Sequence, residues 1–165
     1  MISNYLNKNF FINLILVILI FLSDRISKIY VVYLYKKLNS SEIFSSKFLN
    51  ISLVWNEGIA FGLFSFNEKI FYNILTIIIL VIILIIFFMI LQNVGFRKYS
   101  LLMILGGALG NVFDRIYHKA VPDFIDFHIG NFHWFIFNVA DIFITLGVFF
   151  MIILEFIDRN EERKL

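Results

Sequence analysis

Two aspartates, Asp123 and Asp141, stand where a carboxylate is costly. In VPDFIDFHIGN, strict alternation sets Asp123 on the same face as Ile125 and Phe127, the apolar side of a strand. In FNVADIFITLGVFF, Asp141 falls in the first turn of a run otherwise suited to a membrane interior. It could complement the helix dipole there, yet Ser or Asn would cap that turn more cheaply. Two carboxylates close together in a poorly solvated pocket cannot both ionise at neutral pH, so they share a proton. One then serves as base on a water while the other donates to a carbonyl. Such a dyad hydrolyses amides without metal, serine or cysteine, and Asp123 with Asp141 is the expected pair.

Other chemistries fall away. The chain has no cysteine, which removes thiolate metal sites, disulfides and Cys nucleophiles. There is no HExxH pair and no Walker loop, and His118, His128 and His133 crowd one short loop, so no metal or cofactor is expected. No nucleophile-elbow pattern accompanies a serine. A dyad of Ser23 or Ser27 with Lys28 would be spoiled by Asp24, which holds the lysine charged. The net charge is only +2 and the basic residues are scattered, which excludes a nucleic-acid partner.

The elements that must position the dyad are membrane helices. Of 165 residues, 61% are hydrophobic and one is Pro, and the mean hydropathy is +0.89, far from soluble composition. A span needs roughly 20 apolar residues. Four candidates run about 10–32, 70–91, 99–117 and 138–157, leaving outer loops 33–69 and 118–137 in a single polytopic domain. The N-terminus resembles a secretory signal, but Ser23-Asp24-Arg25 offers no small-residue cleavage site, so a retained first helix is expected. In the first outer loop Leu49, Ile51, Leu53 and Trp55 alternate with Asn50, Ser52, Val54 and Asn56, as in a strand. In the second, alternation resumes on either side of Gly130-Asn131, a dipeptide suited to a hairpin turn, with Asp126 and His128 on the solvated side. The expected fold is thus all-α and integral to the membrane, with four helices and a small extramembrane β platform. A short loop around Gly95 carries Arg97 and Lys98, on the side of Lys8 and the tail DRNEERKL. Basic residues mark the cytoplasmic side, which sets both termini inside and the platform outside.

On this threading SDRISK, WNEGIAFG, GNVFDR, VPDFIDF and FNVAD all reach one membrane face. Asp24 and Lys28 are four apart; Gly107, Asn111, Asp114 and Arg115 can share a face of the third helix; Asn138, Asp141 and Thr145 share one on the fourth. Gly106 and Gly110 form a small-xxx-small pair that admits a neighbouring helix. Read as structure alone, Asp24 with Lys28 locks a helix end, and Asp114 beside Arg115 is an architectural pair. A rival reading, a small proton- or cation-coupled transporter, would spread its carboxylates through the membrane rather than cluster them. A non-catalytic scaffold or chaperone would make neutralisation of Asp141 inconsequential.

DRISK, NEGIAFG, GGALGNVFDR, VPDFIDF and FNVAD, in this order on four spans, resemble the bacterial lipoprotein signal peptidase (signal peptidase II) family. The resemblance implies a membrane aspartyl endopeptidase of the bacterial inner membrane. Its substrates would be diacylglyceryl-modified prolipoproteins, cut before the lipidated cysteine among membrane lipids and near the outer face. The family's dyad falls on Asp123 and Asp141. Its supporting positions fall on Asp24, Lys28, Asn56, Gly58, Asn111, Asp114, Arg115 and Asn138, with the loop strands as a cradle above the site. Members often carry Pro two residues before the Phe of F-N-x-A-D, where this chain has Phe135, and the position of Arg25 is taken as variable.

Overall fold

The computed structural model describes residues 8–58 and 68–162. Residues 59–62 of WNEGIAFG and the last three of the tail lie outside the described residues. In chain order the elements are α1 (Lys8–Leu38), β1 (Glu42–Ser45), β2 (Leu49–Asn56), α2 (Glu68–Gln92), α3 (Gly95–His118), β3 (Val121–Ile129), β4 (Phe132–His133) and α4 (Val139–Glu162).

Among the described residues three helical stretches are long and apolar enough to cross a membrane: Asn9–Leu38, Tyr72–Gln92 and Val139–Asn160. Helix α1 continues beyond the expected span end at 32 to Leu38. α3 differs because it carries Arg97, Lys98, Asp114, Arg115 and four glycines. It is the central helix and packs on α1, α2 and α4, so its polar groups face neighbours rather than lipid. Arg97 and Lys98 sit in its first turn rather than in a loop. Arg97 bridges to Glu155 and Asp158 on α4 at 3.0 and 2.6 Å, which offsets a cation at the unfavourable helix end.

The expected glycine pair faces α1. A Cβ on Gly106 would lie 2.9 Å from Ile20 Cβ, and one on Gly110 would lie 2.5 Å from Asp24 Oδ2. Gly107 faces α4 instead, where a Cβ would lie 2.5 Å from the Ala140 carbonyl oxygen. Lipid tails are as apolar as Leu, so association here rests on such close fit rather than on transfer from water. Ile86 and Ile90 of α2 pack with Leu101, Leu102 and Leu105 of α3 on the same terms.

The two expected strand platforms are one antiparallel sheet in the order β1-β2-β3-β4. It is pinned to α1 by Val31, Leu53 and Phe124, all buried. Outside the hydrocarbon layer each such side chain contributes roughly 1.5–3 kcal/mol. β3 turns into β4 at Gly130, whose φ of +58° needs glycine, and Ile129 pairs with Phe132. The chain then returns: Phe137 N–H donates to the Ile125 carbonyl (3.0 Å), and the Phe137 carbonyl accepts from Ile125 N–H (2.8 Å). This return sets Asn138, the residue just before α4, beside β3.

A bulge in β2 redirects one side chain. Ile51 pairs with Ile125, but Val54 rather than Leu53 pairs with Asp123. The extra residue flips the faces. Simple alternation puts Asn56 on the face away from Ile51; the bulge brings it onto the face of Ile125 and Asp123. Asp126, expected on a solvated side, is buried and joined to His133 at 2.9 Å, with Asn50 donating to it at 3.3 Å. The cross-strand neighbours supply the partners that the single strand could not reveal.

Candidate active site

The site is built on the start of α4. Asn138 is the N-cap: its Oδ1 accepts from Asp141 N–H (3.1 Å), and Asp141 Oδ2 accepts from Asn138 N–H (3.1 Å). This reciprocal pair is the capping-box arrangement with Asn and Asp in the two roles. Asp141 therefore completes a cap and also complements the dipole. The remaining Asn138 group, Nδ2, donates to Asp123 Oδ1 at 2.6 Å. One fully buried amide thus ties both aspartates.

Two further asparagines act alike. Asn56 Oδ1 accepts from Gly58 N–H (2.7 Å), so its Nδ2 is left to donate to Asp123 Oδ2 (2.9 Å). Asn111 Oδ1 accepts from Lys28 Nζ (2.8 Å), and its Nδ2 donates to Asp141 Oδ1 (2.7 Å). In each case a donor fixes the amide oxygen, which assigns the otherwise ambiguous amide and aims N–H at a carboxylate. Asp123 is only 4% exposed. Burial pushes its carboxyl up to about 6, helped by the charge of Asp141 and opposed by the two amides and Lys28.

Behind the pair lies a buried ion network. Lys28 Nζ also reaches Asp24 Oδ1 (2.9 Å) and Asp114 Oδ2 (2.8 Å), which uses its three donors. Asp24 Oδ1 accepts from Ala140 N–H at 3.0 Å, satisfying another orphan donor at the α4 start. Asp114 pairs with Lys28 and Arg25, not with adjacent Arg115. Successive helix residues point about 100° apart, and here Asp114 turns toward α1 while Arg115 turns toward α2.

Arg115 faces α2 and the turn after β2. Its carbonyl accepts from the Tyr72 hydroxyl (2.8 Å), and its guanidinium lies 5.7 Å from the Tyr72 ring centroid. Its Nε and Nη1 are buried without a partner among the described residues. Gly58, at φ +80°, makes room: a Cβ there would lie 2.8 Å from Arg115 Nη1. Of the expected site residues, Asp24, Lys28, Asn56, Asn111, Asp114, Asp123, Asn138 and Asp141 join one hydrogen-bond network, and Gly58 and Arg115 flank it. Sequence reasoning passed over Arg25 and the backbone N–H of Ala140. Beside Asp141 opens a cavity of about 530 Å³ walled by Phe48, Phe127, Trp134, Phe137 and Leu146.

Comparison with known proteins agrees with the resemblance. The family described as signal peptidase (SPase) II matches residues 16–157. A lipoprotein signal peptidase of Pelagibacter ubique (strain HTCC1062) is 49% identical over 155 residues, covering 94% of this chain and 93% of that protein. One of Anaplasma marginale (strain Florida) is 39% identical over 150 residues, covering 90% and 86%. A solved structure, described as a bacterial membrane enzyme determined by the in meso method at 2.3 Å, superposes with a TM-score of 0.69 at 30% identity over 90% of both chains. With the family model matched over residues 16–157 and these relatives along nearly the whole length, the chain belongs to the signal peptidase II family.

Proposed function

We propose that this peptidase is of the aspartic class and removes signal peptides from prolipoproteins, cutting before a diacylglyceryl-modified cysteine. The substrate class rests on the relatives' name, lipoprotein signal peptidase. The observation that carries the mechanism is the Asn138 amide joining Asp123 to Asp141. The pair holds one proton. The ionised carboxylate takes a proton from water as the water oxygen attacks the scissile carbonyl, while the protonated one donates to the carbonyl oxygen. On collapse the C–N bond breaks, the hydroxyl proton returns to one carboxylate, and the leaving nitrogen takes a proton from the other. The donors of Arg115 that have no partner among the described residues are suited to a substrate carbonyl. The aromatic cavity beside Asp141 suits an apolar, lipidated partner.

In this reading α3, shielded by its neighbours, is the fourth span, both termini are cytoplasmic, and the site opens near the outer face. The transporter reading drops out with the family. The test is processing of a diacylglyceryl-modified prolipoprotein by purified wild type, Asp123→Asn and Asp141→Asn, with EDTA in parallel. Both variants are expected to fold and lose at least about 1000-fold in kcat, while EDTA leaves wild type active and its pH profile is bell-shaped. Cutting by either variant near the wild-type rate, or a profile with no basic limb up to pH 9, overturns the shared-proton dyad.

A further inference from the structure

Arg25 occupies a place that neither the motif nor the dyad explains. It is 8% exposed, within one turn of Asp24 and Lys28. Its two terminal nitrogens grip both oxygens of Asp114, and Nη2 also reaches Asp24 Oδ2 at 2.8 Å. Its guanidinium lies 4.9 Å from the Phe113 ring centroid and 5.9 Å from that of Phe21. The resulting cluster, Asp24, Arg25, Lys28 and Asp114, is neutral: two carboxylates against two cations, all buried. Both of its exits lead to the dyad. Lys28 orients Asn111, which donates to Asp141; Asp24 holds the N–H of Ala140, the residue before Asp141.

We infer that Arg25 is a positioning residue for the reaction: by neutralising Asp114 it leaves Lys28 free to orient Asn111, and it keeps an uncompensated charge away from the dyad. Without Arg25, one ammonium faces two carboxylates. Lys28 is drawn toward Asp114, the Asn111 amide loses its anchor, and a net negative charge stands behind Asp123 and Asp141. The other charged or titratable groups around the cluster are Tyr33, Lys36 and His118 at the cavity it borders, Arg115 on α3, Tyr72 on α2 and Glu57 after β2. Of these, none is joined to Asp24 or Asp114 by an ion pair among the described residues.

The inference rests on the two-aspartate reading, and the experiment separates the two. Purified full-length Arg25→Gln, Asp114→Asn and the double variant are assayed for kcat, KM and pH profile on the lipidated prolipoprotein, beside Asp123→Asn and Asp141→Asn. Arg25→Gln is expected to lower kcat at least about tenfold with little change in KM and to move the profile up by about one pH unit. Asp114→Asn, with one cation in excess, moves it down. The double variant restores neutrality and returns the profile to the wild-type position. A purely structural arginine would lower yield or stability without moving the profile, and the second substitution would add to the damage; that result overturns the inference. Where Arg25→Gln alone fails to fold, the downward move of Asp114→Asn and the restored profile of the double variant still decide. Inactive aspartate variants with unmoved profiles in the Arg25 series sink this inference alone. Active aspartate variants sink the dyad itself.

Discussion

Asp123 exacts a cost in stability. Its carboxyl is raised to about 6 in the folded chain from an ordinary value of 3.8, so between those values the folded state binds a proton that the unfolded state has released. The contribution is present in full below about pH 4 and is lost as pH rises through about 6, worth on the order of 3 kcal/mol. Thermal unfolding in detergent is therefore expected to show Tm falling from pH 4 to pH 7, with a shallower fall in Asp123→Asn; equal slopes would show that Asp123 is not the group responsible. That Asp123 and Asp141 belong to one site was legible in the sequence because each carboxylate broke a local pattern, one on the apolar face of a strand and one at the head of an apolar helix. Arg25 was not. Its partner Asp114 lies 89 positions away, and the adjacent Arg115 offers a pairing that looks natural on paper, whereas Arg115 turns toward Tyr72 of α2.

Helix packing sets how finely the network is held. Gly106 and Gly110 both admit α1, but a methyl at Gly106 meets Ile20, whereas one at Gly110 meets the Asp24 carboxylate. Alanine at either position is expected to destabilise the chain by about 1–3 kcal/mol. Only Gly110→Ala should also displace Asp24 from Ala140, so its kcat should fall at least about tenfold while that of Gly106→Ala stays within about threefold. Equal kcat in the two variants would mean that Asp24 tolerates the shift. At this scale the helices and the hairpin at Gly130 follow from hydropathy and turn chemistry. The β2 bulge does not: alternation assigns Asn56 to the wrong face, and only pairing with β3 reveals the extra residue. Nor could either loop alone disclose that β2 and β3 are neighbours in one sheet.

For the molecule as a whole, the proposed span α3 depends on its central position, which turns its buried charges toward α1, α2 and α4 where its own composition would resist lipid. Because the chain has no cysteine, single cysteines report topology cleanly. Asn131→Cys, at the exposed hairpin turn, is expected to react with a membrane-impermeant maleimide on intact cells, and Val94→Cys, 83% exposed between α2 and α3, only after lysis. Equal labelling of the two from outside would remove α3 as a span. The doubled duty of Asn138 and Asp141, which start α4 and also stand in the pair we propose as catalytic, bears on resistance to inhibitors. On that proposal, a compound anchored to those two side chains contacts groups whose exchange would remove both the proposed chemistry and the cap of the helix that carries it. Escape substitutions are then confined to the aromatic wall formed by Phe48, Phe127 and Trp134, which makes that wall the part of an inhibitor's footprint to keep small.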